Sequence, residues 1–387
     1  MQSEELIAKT FLGFEGVLAN ELKNIGAKNV KEGNRYVSFS GENEIIYKAN
    51  FYLRTALSIL KPISTFTAEN EDDLYKMVQN VNWDTILSLK KTFAVEPTVH
   101  SSVFKHGQYA ALKTKDAIVD QFRSKTQKRP YVDTENPDIL INLHISEKVC
   151  TLSLNSSGEP LYKRGYRVSN HEAPLNEVLA AGLILLSGWN PNQDFIDPMC
   201  GSGTLAIEAA LIANKIPPGI FRKKFAFENW PDFDEELFSK ITNDDESEEI
   251  STFGKIFSSD ISPKAVSIAR NNIKSASLHN KINLSNTDFF ELKSESESGV
   301  IIINPPYGER LKTDDLNSFY ENIGNTLKHK YAGFEVWILS SNYEAMKFIG
   351  LHPTKKIKVL NGSLECSFNK YQIYTGSKKM KFNNPEN

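Results

Sequence analysis

The sequence predicts an α/β protein whose C-terminal half is built on a mostly parallel sheet with helices on both faces, behind smaller α+β elements. Three observations carry this. After residue 170, short apolar strands alternate with helices at βαβ spacing. Two of those strands end in conspicuous loops, Asp197–Thr204 and Asn304–Arg310, where open α/β sheets place their ligands. Before residue 170 the elements are shorter and several strands alternate apolar with polar residues. At 387 residues the chain is too long for one ordinary domain and predicts two or three.

In the first part, Glu15–Ile25 reads as an amphipathic helix with Val17, Leu18, Leu22 and Ile25 at helical spacing. Asn34–Phe39 alternates like a strand, Glu42–Asn50 starts a helix, and Leu53–Ile63 reads as a second strand. A second group follows. Glu71–Val78 and Trp83–Leu87 are short helical pieces, and Gln108–Thr126 is a longer helix. Thr92–Ser101 is a strand whose Pro97 calls for an edge or a bulge. Ile139–Ile145 and Lys148–Asn155 form a hairpin across Ser146-Glu147.

The parallel part begins with an apolar helix over Pro174–Leu186. Strands are expected at Phe195–Asp197, Ile256–Asp260, Lys281–Ser285, Gly299–Ile303 and Glu335–Ser340. Helices are expected at Gly203–Asn214, Ser262–Ser275, Leu316–His329 and Tyr343–Phe348, with Lys356–Leu360 and Cys366–Thr375 as a closing antiparallel pair. Pro263 suits the first turn of its helix. Asp232–Glu249 holds nine carboxylates and one lysine and reads as a solvated insertion or mobile loop. Lys378–Asn387 is a polar tail.

Composition narrows the function. Apolar residues make 40% and charged residues 24% of the chain, as in globular proteins, and no run approaches 18 apolar residues, so no membrane span is expected. Met1–Thr10 carries Glu4 and Glu5 and argues against a secretory signal. Cys150, Cys200 and Cys366 are too few and too scattered for a disulfide framework or a zinc cluster, which fits a reducing cytoplasm. The net charge of −3 does not advertise a nucleic-acid binder, but a local patch matters more than the sum. Lys105, Lys113, Lys115, Arg123, Lys125, Lys128 and Arg129 face only Asp116 and Asp120 between Ser101 and Tyr131, and Lys163, Arg164 and Arg167 follow. They suit either a solvated helix face or a surface for RNA phosphates.

The strongest chemical signal is Asp197-Pro198-Met199-Cys200-Gly201-Ser202-Gly203-Thr204, between a strand and a helix. Its glycines permit a sharp turn and a close backbone approach to a ligand. It is not GxGxxG, and no lysine stands in the Walker position, which disfavours a nucleoside triphosphate. Asp260, beside Ile261, ends the next strand and can accept from two ribose hydroxyls. Asp288, after the third strand, can accept from an adenine amine. The competing reading for each is an ordinary loop or cap carboxylate. Asn304-Pro305-Pro306-Tyr307 follows a buried strand, and two prolines stiffen the backbone there. Asn304 offers a side-chain carbonyl, Pro305 a backbone carbonyl and Tyr307 a ring face, a set suited to a planar group bearing an amine. Cys200 as a covalent nucleophile is disfavoured, because it lies inside the turn without an evident base.

These motifs resemble those of class I S-adenosylmethionine-dependent RNA methyltransferases. More closely, the chain resembles the bacterial family with an N-terminal THUMP domain that makes N2-methylguanosine in 23S ribosomal RNA. DPMCGSGT, NPPYGERL and the run Arg167–Leu179 carry the likeness, which covers nearly the whole chain. It implies a ferredoxin-like domain over 1–63, a THUMP RNA-binding domain over 64–165 and a Rossmann-like methyltransferase domain over 166–387, with an acidic insertion around 215–255. Longer relatives carry a second methyltransferase domain that this chain stops before. Asp197–Thr204 is then the cofactor loop, with Asp260, Ile261, Asp288, Asn304 and, in a cap over His171–Glu177, Glu177 as further cofactor residues. Asn304, Pro305, Pro306 and Tyr307 become the catalytic set, and Arg310 a candidate for RNA phosphate or Glu309. S-Adenosylmethionine is the implied cofactor and structured RNA, 23S ribosomal RNA first, the implied partner; no metal, membrane or obligate protein partner is expected. The alternatives are a tRNA guanine-N2 methyltransferase, an adenine-N6 nucleic-acid methyltransferase and a non-catalytic RNA-binding assembly factor.

Overall fold

The computed structural model describes residues 4–169, 174–243, 254–293, 296–306 and 313–374. Two compact units emerge: Met1–Thr10 with Leu18–Leu161 and Arg222–Asp244, and Phe11–Val17 with Tyr162–Phe221 and Asp245–Asn387.

The first unit is built on β1 (Glu4–Lys9), α1 (Glu15–Asn24), β2 (Lys28–Glu32), β3 (Tyr36–Gly41), α2 (Asn43–Tyr52), β4 (Ser58–Thr67), α3 (Glu71–Gln79), β5 (Thr92–His100), α4 (Gly107–Thr126), β6 (Tyr131–Val132), β7 (Ile139–Ser146) and β8 (Val149–Asn155). Its eight-stranded sheet runs β2-β3-β1-β4-β8-β7-β5-β6. Alternate strand residues, among them Leu6, Ala8, Val37, Phe39, Ile59, Ile141, Leu143 and Leu152, enter one apolar core with Leu18, Ile46, Leu74 and Ile118 of the helices. β4 starts at Ser58, not Leu53, because Leu53 closes α2 with its N–H on the Ala49 carbonyl. β6 pairs only with Thr92 and Phe93 of β5, so Pro97, paired with Leu143 of β7 on one side, has no described strand on the other, as an edge proline should.

The charges of α4 are largely neutralised. Lys113 pairs with Asp72, Lys115 with Asp116, Arg123 with Asp120 and Lys125 with Asp84. Arg164, buried, and Arg167, largely buried, both grouped by the sequence with that basic run, are held in ion pairs of the second unit.

The second unit holds α5 (Glu177–Ser187), β9 (Asp194–Asp197) and α6 (Thr204–Ala213); the chain then adds α7 (Glu235–Thr242) to the first unit. It continues as β10 (Ile256–Ser259), α8 (Pro263–Ser275), β11 (Asn283–Ser285), β12 (Gly299–Ile303), α9 (Thr313–Lys330), β13 (Glu335–Ser340), β14 (Lys355–Asn361) and β15 (Leu364–Gln372). α5 starts at Glu177 instead of Pro174, because Asn176 caps it by accepting from the Leu179 N–H.

α7 corrects the expectation for the acidic stretch. Asp234 caps it, Glu235 and Glu236 sit in its first turn, and Leu237, Phe238 and Ile241 recur at helical spacing. Ile241 is buried in the first unit's core, and Phe233, Leu237 and Phe238 pack against it. Phe227 stacks on Tyr47 at 4.6 Å and meets Phe238 edge-on at 5.1 Å. Residues 232–243 are thus a packed element; 244–253 and the tail 378–387 lie outside the described residues.

The second unit's seven-stranded sheet runs β11-β10-β9-β12-β13-β15-β14. It is parallel from β11 to β13 and antiparallel where β15 joins β13 and β14. Successive residues go to opposite cores. Phe195, Val300, Ile302, Trp337 and Leu339 pack with α5, α6 and α8. Ile196, Ile301, Ile303, Val336 and Ile338 pack with α9. A sheet apolar on both faces needs that double cover, which is why β12 reads as a continuous apolar run. From β9 the chain proceeds outward through β10 to β11, then returns to place β12 on the other side of β9. The carboxyl ends of β9 and β12 therefore flank a topological switch point.

Candidate active site

A cavity of about 980 Å³ opens at that switch point. Its wall includes Met199, Cys200, Gly201, Ser202 and Thr204 after β9, Asp260, Ile261 and Ser262 after β10, Asp288 after β11, and Asn304, Pro305 and Pro306 after β12. Segments more than a hundred residues apart in sequence share one crevice because parallel strands end at the same edge.

The glycine turn is held from several sides. Gly201 has φ +53° and Gly203 φ +80°, a region that L side chains rarely adopt. A Cβ on Gly203 would come within 3.1 Å of Ala269 Cβ, so glycine there also lets α8 close on the turn. The Cys200 N–H donates to the Ser259 carbonyl, and the Gly201 N–H to Asp260 Oδ2 at 2.9 Å. Asp260 Oδ1 accepts from the Ser262 N–H at 2.9 Å, and the Asn286 amide donates to the Asp260 and Ile261 carbonyls. The Asp260 carboxylate is thus fixed by two backbone donors, with lone pairs left for a ligand. Asp288 Oδ1 accepts from the Phe290 N–H.

Asn304 carries the most telling observation. Its Oδ1 is buried and has no hydrogen-bond partner among the described residues, although the residue lines the cavity. Buried carbonyl oxygens are rarely left so. An oxygen so placed can accept a hydrogen bond from a donor in the cavity.

Asp197 lies behind the wall, fully buried, and neither oxygen has a well-formed hydrogen bond. Burial, then the nearby Asp260 charge, push its carboxyl well above the ordinary carboxylate range, against a smaller pull from the Ala206 and Met199 N–H groups. The folded chain therefore holds that proton more tightly than the unfolded one. This stabilisation is complete below the ordinary carboxyl value and fades as pH rises through the raised one. Asp197→Asn is expected to melt higher than the wild type at pH 8, with the gap shrinking towards pH 4. Thermal scans across pH check this; a gap that does not vary with pH contradicts it.

Of the other expected cofactor residues, Pro198, Gly203 and Glu177 are off the wall. Glu177 accepts from Arg167 Nε at 2.8 Å and so supports the turn from behind. Tyr307, Glu309, Arg310 and His171 lie outside the described residues. Burial, then the Asp197 charge, push the Cys200 thiol well up, which removes thiolate character and with it the nucleophile reading. Phe290, Phe319, Ser341 and Asn361–Leu364 also line the wall and were not legible as site residues. They come from elements whose only sequence signal is apolar or turn-like.

Comparison with known proteins identifies the domains. Residues 164–370 match the RMKL-like methyltransferase domain, 68–155 the THUMP domain and 5–60 the RlmL ferredoxin-like domain. A Synechocystis protein provisionally named an RNA methyltransferase is 37% identical over 364 residues, 94% of this chain and 95% of that one. The ribosomal RNA large subunit methyltransferase K/L of Shewanella frigidimarina is 38% identical over 373 residues, 94% of this chain but 52% of the relative, so the chain spans about half that protein's length. A crystal structure of a provisionally named methyltransferase complexed with SAH superposes with a TM-score of 0.87 at 31% identity, covering 97% of this chain and 100% of the other. No described helix is long and apolar enough to cross a membrane. By fold, by the position of its crevice and by these matches, the chain belongs to the RMKL-like methyltransferase family, with THUMP and RlmL ferredoxin-like regions ahead of the methyltransferase domain.

Proposed function

We propose that the protein transfers a methyl group from S-adenosylmethionine to the exocyclic N2 of a guanine in 23S ribosomal RNA. The unpaired Asn304 Oδ1, on the same cavity wall as the glycine turn, carries this reading. The working domain bounds are 1–63, 64–165 and 166–387, with the excursion around 215–255 leaving the methyltransferase domain.

S-Adenosylmethionine supplies an electrophilic methyl on a positively charged sulfur that departs as a neutral thioether. For its recognition, the Gly201–Gly203 backbone meets the amino-acid part, with Asp197 behind the turn on the side of the ammonium. Asp260 takes the ribose hydroxyls and Asp288 faces the adenine. The guanine amine is a poor nucleophile because its lone pair is delocalised into the ring. Asn304 Oδ1 and the Pro305 carbonyl accept its two hydrogens and turn nitrogen density towards the methyl group; as the nitrogen–carbon bond forms and the carbon–sulfur bond breaks, one of those hydrogens leaves as a proton to solvent or a nearby acceptor. Pro306 keeps the segment rigid, and Tyr307 stacks on a base drawn out of its helix or loop. Most of the rate gain then comes from positioning and preorganised polarity.

The names of the K/L relatives favour ribosomal RNA over tRNA. The test offers purified protein deproteinised 23S RNA, assembled ribosomes and bulk tRNA with a labelled methyl donor, followed by nucleoside analysis. The expected product is N2-methylguanosine in 23S RNA. Label confined to tRNA, or found in N6-methyladenosine, replaces this assignment with one of the alternatives.

A further inference from the structure

We propose that Arg167 is a positioning residue that sets donor affinity by clamping the glycine turn, a role that rests on the methyl-donor reading of the cavity. Arg167 does not line the cavity. Its guanidinium nevertheless reaches the turn from behind. Nη1 donates to Ser202 Oγ at 2.9 Å and Nη2 to Thr204 Oγ1 at 3.0 Å. Nε donates to Glu177 Oε1 at 2.8 Å, and Nη2 also to the Leu175 carbonyl at 3.0 Å. One planar fork thus ties the start of α6 to the start of α5. The Ser202 and Thr204 hydroxyls are themselves 3.2 Å apart, so the two hydroxyl anchors act as one unit.

The fork is held in place from its own backbone. Asn272 on α8 accepts from the Val168 and Ser169 N–H groups and donates to the Ser169 and Ser202 carbonyls. Asn272 therefore fixes the chain beside Arg167 and the turn that Arg167 grips in one frame. With Arg167 and Glu177 both largely buried, the pair keeps its geometry without the screening that weakens surface ion pairs. Ser202 and Thr204 also line the cavity, so any slack in the fork appears at the donor-binding wall. Lysine cannot replace this function. It retains a positive charge for Glu177 but carries one point of donors, not a rigid fork spanning four acceptors.

Affinity for S-adenosylhomocysteine, measured by calorimetry, tests the assignment, together with melting temperature and the donor KM and kcat. Arg167→Lys is expected to bind about ten-fold more weakly or worse, with a raised donor KM, kcat within about three-fold at saturation, and a cooperative melt. Ser202→Ala/Thr204→Val removes the two hydroxyl anchors and should weaken binding to a similar degree. Adding Arg167→Lys to that background should then cause little further loss. Wild-type affinity in Arg167→Lys, or losses that simply add, overturns the proposal. If Arg167→Lys does not fold, the hydroxyl variant decides: unchanged affinity there overturns the clamp. A wild-type protein that binds no S-adenosylhomocysteine overturns the donor reading itself, and the clamp with it, an outcome distinct from a binding wild type with an equally binding Arg167→Lys.

Discussion

Asn304→Ala is expected to lower kcat by about 10³-fold, or about 4 kcal/mol of transition-state stabilisation, while leaving S-adenosylhomocysteine affinity within about three-fold. The magnitude follows from what a single preorganised polar group contributes when it acts on charge that develops only during reaction. Guanine N2 becomes cationic as its bond to carbon forms, and an acceptor on its hydrogen strengthens at that moment. The same substitution should not destabilise the fold. Asn304 Oδ1 is buried without a partner among the described residues, so alanine removes an unsatisfied group, and the melting temperature should hold or rise. Asn304→Asp keeps an acceptor and should retain more activity than alanine. Single-turnover methyl transfer, calorimetry and thermal melts on the three proteins check the pattern. A turnover loss in Asn304→Ala that tracks a drop in melting temperature would mean a structural residue instead.

Much of this site was legible because its chemistry is concentrated in runs of adjacent residues. DPMCGSGT places glycine, proline and polar groups at one strand end and NPPY places prolines and polar groups at another, and strand ends of an open parallel sheet converge by geometry. The parallel half was similarly legible: β12 reads as a continuous apolar run because both of its faces meet a core. What escaped depends on tertiary contact. Arg167 looked like one more cation of a basic stretch, since nothing local reveals that its fork meets Ser202, thirty-five residues on. Arg164 looked the same, yet it is 2% exposed and pairs with the fully buried Glu208. The acidic stretch was misjudged for a different reason. Its carboxylates dominate the composition, while the few apolar residues that dock α7, Phe238 and Ile241 foremost, are spaced for a helix only four residues or fewer apart. Composition registered the charges, and the packing was set by the minority.

Asp260→Ala is expected to raise the donor KM by about 10²-fold or more, through two losses that add. The first is the charge-assisted acceptor for the ribose hydroxyls; hydrogen bonds to charged groups contribute about 1.5–3 kcal/mol. The second is the anchor of the turn, because the Gly201 and Ser262 N–H groups both lose their acceptor. Asp260→Asn separates the two. Its amide oxygen can keep one backbone donor, but its NH2 group would oppose the other, so the loss should persist although the volume is conserved. A further signature follows from the neighbour behind the wall. Burial and then the Asp260 charge hold the Asp197 carboxyl above its ordinary value. Removing the Asp260 charge leaves burial alone, so the Asp197 value falls but stays raised. The folded state then gives up that proton at lower pH, and the pH range over which the melting temperature declines should end earlier in Asp260→Asn than in the wild type. Calorimetry with S-adenosylhomocysteine and melts across pH measure both effects. Wild-type donor affinity in Asp260→Ala removes Asp260 from the ribose position, whatever the melts show.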